Sequence, residues 1–187
     1  FMLNEFEEKV DTYLDFVKSR KSIRNFVFKK IPDQAIRKVI EFGRWAPSGL
    51  NNQPWVVKIV SHSTIKRMLA ELTKYGGIIE SAYVNLVVFY DIERGYDRTK
   101  DLQGIGAFME NILLGITALQ QSGEDIGGVW LGEILNKKEQ VNEIFKLEPK
   151  KFELMGVIAM GYLDEKMERK DAKKRERRPI DDFIDWY

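Results

Sequence analysis

Residues 45–55 read Trp45-Ala46-Pro47-Ser48-Gly49-Leu50-Asn51-Asn52-Gln53-Pro54-Trp55. Two prolines and a glycine rule out a regular element here, and Ser48, Asn51, Asn52 and Gln53 are turn formers. The stretch is therefore a loop between elements of different period. Before it, Pro32 and Asp33 open a helix whose inward positions are Ile36, Val39, Ile40 and Trp45. After it, residues 55–61 form a strand, and Ser63 caps a short helix over residues 63–73.

Further out, residues 4–18 place Phe6, Val10, Tyr13, Leu14 and Val17 on one helical face. Residues 25–30 alternate as a short strand. Residues 85–91 are almost continuously apolar, the pattern of a strand buried on both faces. Residues 101–121 make a helix that is apolar on most sides, so it belongs in a core or between subunits. Residues 127–131 and 153–162 are strands, with an amphipathic helix over 137–145 between them. Residues 165–178 are almost wholly charged. Ile180, Phe183, Ile184, Trp186 and Tyr187 then give this C-terminal arm an apolar tip. Helices and strands interleave with short connections, so a single domain over 1–187 is expected.

Composition excludes several classes. The chain has 187 residues, 44% hydrophobic and 32% charged, which is ordinary for a globular protein. A formal net charge of +1 offers no field to attract nucleic acid or an acidic membrane. With no cysteine, disulfides, thiolate metal sites and thiol nucleophiles are excluded. His62 is the sole histidine, and its place before a helix start marks it as a solvated loop residue. The acidic, amphipathic N-terminal stretch is unlike a signal peptide. The longest apolar run, residues 112–119, is shorter than the roughly 20 residues of a membrane span. A cytoplasmic protein without a metal site is expected.

Four clusters carry chemistry. If the chain extends after the first helix, Arg20, Ser22 and Arg24 point to one side. Two guanidinium forks and a hydroxyl suit a phosphate, although spacing alone favours a solvated basic helix end that complements the dipole. The loop at 47–53 supplies the mixed donors and acceptors that a flat heterocycle needs, between Trp45 and Trp55 as aromatic walls. On composition alone it also fits a tight surface turn. Gly127-Gly128-Val129-Trp130-Leu131-Gly132 lets backbone amides approach a ligand, but lacks dinucleotide-fingerprint spacing. Arg175-Glu176-Arg177-Arg178-Pro179-Ile180 reads by itself as a solvated charge run. A nucleic-acid patch would add Lys170, Lys173 and Lys174, but Asp171 and Glu176 interrupt it.

The order of these pieces is more specific than any one of them. Arg-x-Ser-x-Arg, then Ala-Pro-Ser-Gly-x-Asn-x-Gln-Pro-Trp, then Gly-Val-Trp-Leu-Gly, a late Gly-Tyr and a terminal Arg-x-Pro resemble the nitroreductase family over essentially the whole chain. The resemblance implies an α+β fold with a mixed central sheet flanked by helices. It implies an intertwined homodimer that exchanges C-terminal arms and binds FMN between subunits. Arg20, Ser22 and Arg24, with Lys21 adjacent, would then hold the phosphate and flavin edge. Pro47, Ser48, Gly49, Asn51 and Gln53 would line the isoalloxazine, often from the partner. Gly128 and Val129 would approach the ring, and Arg177 would reach the phosphate. Activity would be hydride transfer from NADH or NADPH through flavin N5 to a quinone or nitroaromatic, by a ping-pong scheme. Reductive dehalogenation, flavin-ring cleavage or flavin binding without turnover are the alternatives. Two departures from the family pattern, Gly104 at the start of the long helix and the turn at 121–125, bear on the substrate pocket.

Overall fold

A computed structural model of the chain describes residues 2–170 and 175–187, with side chains over 7–167 and 175–187. The elements run α1 (Met2–Ser19), β1 (Phe26–Val27), α2 (Asp33–Arg44), β2 (Trp55–Val60), α3 (Ser63–Ala70), α4 (Gly76–Ser81), β3 (Val84–Asp91), α5 (Arg98–Gln121), β4 (Ile126–Leu131), α6 (Lys138–Ile144), β5 (Phe152–Leu163) and α7 (Glu165–Lys170). Strand β5 is the axis of the sheet. β3 pairs along one edge of it, from Val84 opposite Met160 to Asp91 opposite Phe152. β4 pairs along the other, from Ile126 opposite Tyr162 to Leu131 opposite Val157. β2 lies outside β3, and β1 continues the β3 edge at Tyr162 and Leu163. These ladders are antiparallel, and an isolated bridge between Ser22 and Gly128 adds the parallel component.

The apolar run in β3 is explained by burial on both faces. Leu86, Val88 and Tyr90 point to one side, where α2 and α5 supply Ile36, Val39, Ile105, Phe108, Met109, Ile112 and Ile116. Val87 and Phe89 point to the other, against Leu69 of α3, Ile79 of α4 and Val141 of α6. Strand β5 does the same with one interruption. The register shifts between Val88 and Phe89, and Gly156 takes φ +146° opposite that point. The extra residue puts Leu154 and Val157 on one face although they are three apart, as a β-bulge requires.

Several details depart from expectation. α4 was not visible as a separate helix. The helix after β2 ends at Ala70, and its cap is His62, whose Nδ1 accepts from the Thr64 N–H at 3.3 Å. Trp45 follows the last turn of α2 and is 76% exposed rather than inward, with its indole N–H on Glu41. α5 begins at Arg98, and its 24 residues are long and apolar enough to cross a membrane, which the run at 112–119 concealed. Half of its most apolar window is buried against the sheet and α2, the position of a core helix. Conversely, α1 shows its apolar stripe outward, with Val10, Tyr13, Leu14 and Val17 all exposed.

Candidate functional site

The loop at 47–53 has an unusual backbone. Leu50, Asn51 and Gln53 all lie in the left-handed region, at φ 53°, 54° and 47°. Such conformations cost free energy in residues other than glycine and persist only where surroundings enforce them. Here the enforcement is visible. Ser48 Oγ accepts the Gln53 N–H at 3.1 Å, and the Gln53 side-chain amide donates to Asn51 Oδ1 at 3.2 Å. Asn52 Nδ2 donates to Asp101 Oδ1 at 2.7 Å, tying the loop to the first turns of α5.

Asp101 is the fully buried hub of this region. Its Oδ2 accepts the Tyr90 hydroxyl at 2.9 Å and the N–H groups of Tyr96 and Asp97 at 2.9 and 3.1 Å. Burial alone would raise its pKa, but the hydrogen bonds from Asn52, Tyr90 and the two amides outweigh it and hold the carboxyl below the ordinary aspartate range. Burial, and then donation to Asp101, pushes Tyr90 up to about 12. The sequence reading missed Asp101, since nothing local distinguishes it from other first-turn acids of a helix. Gly104 is explained by the same junction: a Cβ there would sit 3.2 Å from the Pro47 carbonyl oxygen. Trp55 stacks one face of its ring on Phe108, with centroids 4.7 Å apart.

The second group lies elsewhere on α5. After α1 the chain extends past β4, and the Ile23 N–H donates to the Gly128 carbonyl at 2.9 Å. Gly127 leaves room for Ile23, and a Cβ at Gly128 would meet Ile116 at 2.7 Å. Val129 turns its side chain into the second core cluster, so only its backbone remains for a ligand. Arg20 is mostly buried, and its Nε pairs with Glu110 of α5 at 3.4 Å. Arg24 is exposed and donates to the Ser22 carbonyl at 3.4 Å. It also lines an open cleft of about 400 Å³ with Asn25, Lys74, Tyr75, Ser81 and Asp164. Lys21 is exposed.

One sequence-predicted group is displaced. Arg177 points to its own neighbour, the Glu176 carbonyl, whereas Arg175 reaches the extended segment and donates to the carbonyls of Lys18 and Arg20. Lys173, Lys174 and Asp171 of the basic-tail reading lie outside the described residues. The turn at 121–125 closes α5 through Gly123 at φ +100°, and Glu124 accepts the Tyr162 hydroxyl at 3.0 Å.

The two groups do not meet in one chain. Gly104 and Ile116 are twelve residues apart, about 18 Å along α5 and about 120° around it.

The model of the nitroreductase family matches residues 17–91, which include the extended segment and the loop. A crystal structure from Desulfovibrio desulfuricans, described as a nitroreductase in complex with FMN, is 34% identical. It covers 91% of this chain and 94% of its own, with a TM-score of 0.81. The chain belongs to the nitroreductase family. A second crystal structure, described as an NADH oxidase from Clostridium acetobutylicum, is 30% identical and covers 80% of this chain and 88% of its own, with a TM-score of 0.73. An Archaeoglobus fulgidus relative named as an NADH dehydrogenase/NAD(P)H nitroreductase is 28% identical over 165 residues, 87% of this chain and 91% of that one.

The ionised Asp101 network stabilises the fold above the ordinary aspartate range, because its folded pKa is depressed. That stabilisation is lost as pH falls through the folded value. Asp101→Asn should therefore cost about 1–3 kcal/mol at neutral pH. The gap to wild type should narrow on acidification. Thermal unfolding of both proteins across pH checks this, and a gap that is constant with pH would contradict it.

Proposed function

We propose that this chain is an NAD(P)H-dependent FMN oxidoreductase that passes hydride to an electron-poor acceptor, a quinone or a nitroaromatic. The observation that carries the reading is the extended segment 20–24 running beside Gly128, with Arg20 held at Glu110 of α5 and Arg24 lining the cleft. That donor set fits a phosphate monoester, since Arg matches its oxygens in fork geometry. Arg20, Lys21 and Ser22 would hold the phosphate, with Arg177 of the arm as a further cation. Arg24, which lines the cleft, would hold negative charge near the N1–C2=O edge of the ring. The backbone at Gly128 and Val129 would approach the ring.

FMN bound there supplies a ring that takes up and gives back hydride at N5. The chain's part is to bind, orient and exclude water. NADH or NADPH and the acceptor would use the same cleft in turn, because no dinucleotide fingerprint supplies a second nucleotide site.

Pro47, Ser48, Gly49, Asn51 and Gln53 lie on a different face of α5 from this strip, so they would line the ring from a second copy. A homodimer of one-domain subunits accounts for the exposed stripe on α1 and for the arm tip, where Ile180, Phe183, Trp186 and Tyr187 are exposed, Trp186 at 92%. Burying one such side chain contributes about 1.5–3 kcal/mol.

The purified protein should be yellow or take up FMN stoichiometrically. Arg20→Ala should weaken FMN about 10- to 100-fold and riboflavin much less, since the phosphate is the group lost. Fluorescence titration decides it, and equal weakening of both ligands would remove Arg20 from the phosphate. Initial rates with NAD(P)H and a quinone should give parallel double-reciprocal lines, and intersecting lines would demonstrate a ternary complex instead. Deleting residues 179–187 should loosen the dimer and weaken FMN together. Light scattering on the truncated chain measures the first effect, and an unchanged dimer at low concentration would show the tip to be a solvated tail.

A further inference from the structure

The last turn of a helix leaves carbonyl groups with no intrahelical donor. At the end of α1 the Lys18 and Arg20 carbonyls are in that position, at the point where the chain must leave the helix and extend. Both are met by one side chain. Arg175 donates Nη2 to the Lys18 carbonyl at 2.8 Å and Nη1 to the Arg20 carbonyl. The two partners are separated by 155 and 157 residues of sequence from the donor, so the contact is long-range rather than a local cap. A cation here also suits the negative end of the helix dipole.

We propose that Arg175 is a positioning residue. It clamps the exit of α1 and so fixes the direction in which Arg20, Ser22 and Arg24 emerge, without itself touching the ligand. This deepens the reading of the strip at 20–24 as a phosphate site, and rests on it for its effect on FMN. The clamp sits on the opposite end of the segment from its other anchor, the Ile23 N–H on the Gly128 carbonyl. Between these two points the segment is short enough that both ends are held. The planar fork is essential to the geometry: two carbonyls in fixed relation need two N–H groups in fixed relation, which an ammonium does not offer.

The test uses the full chain as wild type, Arg175→Ala and Arg175→Lys. Amide hydrogen exchange without added FMN should show the Arg20 and Ile23 amides exchanging several-fold faster in both variants. FMN affinity should fall about tenfold in both. Combined with Arg20→Ala, the loss should be smaller than the product of the single losses, because both act on one segment. Three results would overturn the proposal. One is unchanged exchange of residues 19–24 in Arg175→Ala. Another is wild-type behaviour of Arg175→Lys, which would make the effect one of charge alone. The third is strictly multiplicative losses in the double variant, the mark of an independent contact with phosphate. If wild type binds no flavin, the assignment of the strip fails, while the exchange measurement still decides whether the clamp exists.

Discussion

Helix α5 presents a glycine where the 47–53 loop and Phe42 of α2 come close. Gly104 lies under the Pro47 carbonyl and Gly115 under the ring of Phe42. Between them Glu110 holds Arg20, and beyond them Ile116 fills the space that Gly128 leaves. Loop, cation and strand are therefore placed by one rigid rod, on faces about 120° apart. A side chain at Gly104 would push the loop away, and one at Gly115 would push away Phe42 of α2. The same geometry explains why the helix is apolar nearly all round: it has α2 and the sheet on the inner sides, and it carries the site elements on the rest.

At the start of that rod stands a charge with no countercharge beside it among the described residues. Asp101 is buried and is kept ionised by neutral donors alone, a tyrosine hydroxyl, an asparagine amide and two backbone N–H groups. Full hydrogen bonding is what makes such burial tolerable. The arrangement also joins four separate pieces of chain: the loop through Asn52, the sheet through Tyr90, the bend before α5 through Tyr96, and α5 itself. Paired surface charges elsewhere, such as Arg44 with Glu41, have no comparable reach.

Much of this was legible beforehand. The continuous apolar run at 85–91 announced a strand covered on both faces, and the order of motifs carried the family and the fold. The loop at 47–53 was recognisable from its prolines and amides. Other features could not be read because they depend on distant partners. Trp45 has the spacing of an inward residue but sits past the last helical turn, where the chain has already changed direction. Asp101 looks like any first-turn acid until Tyr90 folds over it. Arg175 and Arg177 are two residues apart in one charged run, and only the path of the arm decides which meets α1. Gly104 seemed a departure from pattern and is the space that the loop needs.

The backbone of that loop has a thermodynamic consequence. Three of four consecutive non-glycine positions held left-handed, at residues 50, 51 and 53, mean that the segment is shaped before any ligand arrives. Its conformational entropy is surrendered during folding and not on association. A ring that meets it loses little to ordering the protein, so affinity reflects the contacts themselves. The cost appears instead as reduced stability of the folded chain, carried by the buried carboxylate that anchors Asn52.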